Sequence, residues 1–109
     1  MGSKADGDYM AVAPIPGNGT MHRLDVSTTA ATYTALPRGL YTVMLDGVTS
    51  VLLRNDGSAA AEPASGASGT GGGHQSGWTY EHNISAGTGD LSAIVLNSGS
   101  GRLYLIRQP

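Results

Sequence analysis

LYTVMLDGVTSVLLR, running from Leu40 to Arg54, is the stretch that decides the fold class. Tyr41, Val43 and Leu45 alternate with Leu40, Thr42 and Met44, and Val51 and Leu53 resume the same rhythm after the break. Successive side chains of a strand point to opposite faces, so a period of two is the mark of a sheet. Both alternating sets of the first run contain apolar residues, and both faces of this strand are expected to be partly covered. Asp46-Gly47 reads as the two-residue turn of a type I′ hairpin, in which both central residues take positive φ. Two antiparallel, directly paired strands are the expectation.

The same rhythm recurs on either side. In Met21 to Ser27, Leu24 and Val26 share a face, with His22 near it, and in Ala31 to Leu36 Tyr33 and Ala35 face together. Pro37-Arg38-Gly39 then turns the chain. Gly77 to Ser85 reads as a strand with Trp78, Tyr80, His82 and Ile84 on one side. Leu91 to Leu96 and Gly101 to Arg107 read as a second hairpin through Asn97-Ser98-Gly99-Ser100. Tyr9 to Pro14 is a further extended run, and Pro14 and Pro16 confine it to a sheet edge or an arm. No stretch longer than about ten residues carries a helical apolar stripe free of Gly or Pro. The expected fold is all-β: an antiparallel β-sandwich or small jelly-roll-like barrel of about seven or eight short strands.

Residues 1–19 are expected to form a flexible N-terminal arm and residues 20–109 a single β domain. Within that domain, 55–77 is almost entirely Gly, Ser, Ala, Thr and Pro, ending in Gly71-Gly72-Gly73-His74 before Gly77. So little apolar surface does not offset ordering entropy, and the segment is expected to be a surface loop or a loop that orders against a partner. Ala59-Ala60-Ala61 is placed as a continuation of the preceding strand.

Composition narrows the function. The chain has 109 residues, 39% of them hydrophobic, with no Phe and 17 Gly. Such a core is thin for one domain, and self-association or docking on a larger body would relieve it; a homo-oligomer or bound subunit is expected. A net charge of −2 with only 6 Lys and Arg supplies no basic stripe for nucleic acid and no polybasic segment for a membrane surface. No apolar run approaches the roughly 20 residues that span a bilayer, and Met1 to Asp8 has no secretory h-region. Without cysteine there is no disulfide framework and no Cys-ligated zinc.

Catalysis needs convergent titratable or nucleophilic groups. The histidines are His22, His74 and His82, and most carboxylates fall in turns or near the N-terminus. Glu81 and His82 are adjacent on an expected strand and point to opposite faces, so they make no acid–base dyad. His22 and His82 are placed to meet across neighbouring strands, but two imidazoles without a third ligand are a weak metal site. The Gly71-Gly72-Gly73 tract lacks the phosphate-loop pattern and opens no helix. Asn18-Gly19-Thr20 and Asn83-Ile84-Ser85 match the glycosylation sequon only by coincidence, with no signal peptide before them. No catalytic residue, metal or cofactor is assigned. Trp78 and Tyr80 are expected to be core or interface anchors, with a sugar-stacking platform as the other use of such a pair.

Val26-Ser27-Thr28-Thr29-Ala30-Ala31 leads to Leu36-Pro37-Arg38-Gly39 and Tyr41-Thr42-Val43. Val48 to Arg54 and Ala59-Ala60-Ala61 follow, then Ile84-Ser85-Ala86-Gly87 and Leu91-Ser92-Ala93-Ile94. Ser98-Gly99-Ser100-Gly101-Arg102-Leu103-Tyr104-Leu105 closes the set. In this sequence of short strand and turn words the chain resembles small tailed-phage virion proteins: head-decoration, cement and fibre-like β proteins. The resemblance implies an antiparallel sandwich without cofactor that works by protein–protein contact on a symmetric shell or tail. It maps no catalytic residue. The expected function is accordingly a non-enzymatic capsid decoration or cement subunit on the virion surface, bound to the major capsid protein or another virion protein. The alternative is a glycan- or receptor-binding tip of a tail or head fibre. Tyr9, Met10, Val12 and Ile15 on the arm, with Trp78 and Tyr80, are the expected partner-binding residues.

Overall fold

Among the described residues, alternation and frequent turn residues give eight strands and no helix. The computed structural model describes residues 19–77, 81–84 and 89–108, with side chains excepted for 81–84. The strands are β1 (Met21–Val26), β2 (Ala31–Tyr33), β3 (Gly39–Asp46), β4 (Ser50–Arg54), β5 (Gly72–Gln75), β6 (Glu81–Ile84), β7 (Leu91–Val95) and β8 (Gly101–Arg107). They form two four-stranded antiparallel sheets, a front sheet ordered β1-β8-β3-β6 and a back sheet ordered β2-β7-β4-β5.

That order is a rolled ribbon. β1 pairs with β8, β2 with β7, β3 with β6 and β4 with β5, as in one long hairpin whose tip is the loop after β4. Rolling the ribbon then adds the β3–β8 and β4–β7 pairs and closes the two sheets over one core. This is the topology of a jelly roll. The expected all-β sandwich of jelly-roll type is the fold.

Both expected hairpins are corrected. β3 and β4 lie in different sheets, and so do β7 and β8, so each connection arches across the core instead of joining neighbours. Gly47 does take positive φ, at 85°, but Asp46 is still strand residue. The two arches pack on each other: a Cβ on Gly101 would overlap the Asp46 carbonyl oxygen, and one on Gly47 would stand 3.3 Å from the Gly101 Cα. Val48, in the first arch, is buried. The alternation had the faces right, since Tyr41, Val43, Val51 and Leu53 all point into the core.

The centre of that core is Leu103 and Leu105 from the front sheet, with Val51 and Ala93 from the back, all fully buried. Each large aliphatic side chain removed from water there contributes about 2 kcal/mol. Tyr41 is also fully buried, and its hydroxyl donates to the Pro37 carbonyl, so the phenol costs no unpaired donor. Burial raises its pKa above the usual tyrosine value.

The segment expected to be loop from 55 to 77 is more ordered than its composition suggests. β5 occupies Gly72–Gln75 and places His74, only 1% exposed, opposite Val51. Ala59-Ala60-Ala61 does not extend β4. Ala60 is instead buried against the outer face of the back sheet, where its N–H donates to Ser92 Oγ at 2.8 Å. β2 likewise stops at Tyr33, short of the expected Leu36, because Ala35 takes a φ of 57° and gives its N–H to the Asp90 carboxylate.

Candidate functional site

The front sheet's outer face is built by the alternate residues that the core does not use. Cross-strand register sorts them into rows: Asp25–Arg102–Asp46, then Arg23–Tyr104–Met44, then Met21–Ile106–Thr42, with Leu40 beyond. Met21, Leu40 and Met44 are 57%, 41% and 46% exposed, and they are the exposed large hydrophobics of the described residues. All three stand on this one face. Tyr104 is half-buried among them, and Ile106 is buried between Met21 and Thr42, where the Gln108 amide reaches the Thr42 hydroxyl. Both faces of β3 are covered in part, as its alternation leads one to expect: Tyr41 and Val43 are buried inside, while outside Thr42 is half-buried and Leu40 and Met44 are more open.

The other end of the same face is charged. Arg102 stands between Asp25 and Asp46 and donates to Asp46 at 2.5 Å; Arg23 donates to Asp25 at 2.8 Å. The Arg23 hydrogen bond holds the Asp25 carboxyl below its usual pKa, so it stays ionised at neutral pH. An open cleft of about 400 Å³ lies here, lined by Arg23, Asp25, Arg102 and the small residues Ser27 and Ser100. Its one carboxylate, Asp25, is held by Arg23, and no histidine lines it among the described residues, so the cleft displays paired charges and hydroxyls.

The histidines are dispersed. β1 and β6 are the two opposite edges of the front sheet, so His22 and His82 sit on strands separated by β8 and β3, about 14 Å across at ordinary strand spacing. The neighbouring-strand pairing expected of them is corrected. His22 points inward, and its Nδ1 meets the Tyr33 hydroxyl at 2.8 Å with the rings edge-on. This contact bridges the two sheets at their β1–β2 edge. Among the described residues His22 Nε2 is buried without a hydrogen-bond partner, and no three histidines or carboxylates gather as a metal site.

Tyr9, Met10, Val12, Ile15, Trp78 and Tyr80, expected as partner-binding residues, lie outside the described residues. The outer-face residues Met21, Leu40, Met44 and Tyr104 were not among them. The signal that finds them is the second apolar set of β3, Leu40 and Met44, which meets no second sheet among the described residues.

A scan against protein-family models finds no match, and searches of curated proteins and of solved structures find none either.

Proposed function

We propose that this chain is a non-enzymatic structural subunit of a phage-type virion, a capsid decoration or cement protein that acts by protein–protein contact at the particle surface. The observation that carries the reading is the front outer face, where Met21, Leu40 and Met44 stay open on a rigid sheet beside an ordered row of charge. Exposed apolar residues gathered on one face among polar ones suit a protein interface. The jelly-roll architecture supports the reading by analogy alone, since viral capsid and lectin domains both use it. In this role the apolar rows bury against capsid subunits while Asp25, Arg102 and Asp46 set the register. An interface of about 800 Å² per partner suffices when the shell repeats it.

Particles purified from the producing culture and labelled with antibody to the chain test this. Regular label over the heads is the expected result, and particles free of the chain overturn it. Label confined to tail tips, with a saturable Trp78 fluorescence change on a glycan panel, replaces it with the receptor-binding reading.

A further inference from the structure

β1 ends the front sheet, and one of its sides has no partner strand among the described residues. Register fixes which backbone groups lie on that side. The Arg107 N–H donates to the Thr20 carbonyl, so Thr20–Arg107 is a hydrogen-bonded pair. Antiparallel ladders alternate, which makes His22–Leu105 and Leu24–Leu103 the next such pairs. The N–H and C=O groups of Met21, Arg23 and Asp25 therefore point away from β8, toward the free side. The strand has no proline, and its pairing with β8 runs without a bulge from Met21 to Val26. Its charges are one of each sign, Arg23 and Asp25, side by side on the outer face. An edge so built is an open template.

We propose that β1 pairs antiparallel with β1 of a second copy across a two-fold axis at Leu24, so that Arg23 of each copy stands opposite Asp25 of the other. Only registers that oppose two outward-pointing residues can form hydrogen bonds. Centring on Arg23 sets two arginines opposite each other, and centring on Asp25 sets two aspartates together; like charges directly opposed are unfavourable. Centring on Leu24 gives two complementary pairs and joins the front sheets into one continuous sheet. Leu24, half-buried at the open edge, then meets its counterpart on the core side. The dimer is independent of the virion role and holds for the chain on or off a particle.

Sedimentation equilibrium of the full chain tests it, with a dimer expected at about 0.1 mM. Arg23→Asp and Asp25→Arg each place like charges at both symmetric positions and should weaken the dimer about tenfold. Mixing the two variants should restore it as a heterodimer, resolved by native mass spectrometry. Arg23→Pro removes a free-side N–H without touching the β8 ladder and should give a monomer that melts within about 3 °C of the parent. The mixing experiment stands even if the proline variant fails to fold. A monomeric parent overturns the proposal. So does a dimer that both reversals leave intact, or a mixture that forms no heterodimer.

Discussion

The two sheets contribute similar inner faces to one core, yet their outer faces are finished differently. On the back sheet the loop at the ribbon's tip folds against β7, where Ala60 is buried and its N–H reaches Ser92. Leu52 and Ile94, the outward pair of β4 and β7, are left half-buried. On the front sheet the outward apolar residues Met21, Leu40 and Met44 stand open. The contrast shows that a segment poor in large apolar residues can still cover a sheet. Small side chains let its backbone approach closely, and one buried hydrogen bond anchors it.

The sharpest way to break this contrast is to wedge the loop off the back sheet. Ala60→Leu overpacks a buried site and should cost about 2 kcal/mol in denaturant unfolding; a change below about 0.5 kcal/mol would mean that the loop does not seal that face. Ser92→Ala leaves the Ala60 N–H buried without its acceptor, and a loss of about 1.5 kcal/mol is expected, with faster amide exchange confined to Ala60 and its neighbours. Tyr41→Phe probes the shared interior. Because burial raises the folded-state pKa of Tyr41, its contribution is intact below the unfolded value of 10.0 and fades as pH rises through the folded one. The parent's melting temperature should therefore drop above about pH 10 more steeply than the variant's. At the small end, Met44→Ser and Met21→Ser on the open front face should each change stability by less than about 0.5 kcal/mol. A large loss at either position would show that the face is already packed.

Faces were readable in the sequence and partners were not. Period two sends Tyr41, Val43, Val51 and Leu53 inward whichever strand lies alongside, so the sandwich and its core follow from alternation. Asp46-Gly47 fits a hairpin and an arch equally well, because Gly47 supplies positive φ to either. What decides is the non-local pairing of β3 with β8 and β4 with β7, on which the local turn residues are silent. Loop 55–77 misled for a related reason: composition reports the apolar area a segment can bury, while Ala60 and His74 are held by what surrounds them. The candidate face was half visible. Leu40 and Met44 declared a second apolar side to β3, but only the strand order reveals that no sheet of the described residues packs on it.

A triple variant, Met21→Ser with Leu40→Ser and Met44→Ser, bears most directly on the claim that the front outer face is the docking surface. Its co-sedimentation with virions and its melting temperature should be measured together. At least about tenfold weaker binding at an almost unchanged melting temperature is the predicted result. Undiminished binding by a folded triple variant would contradict the claim.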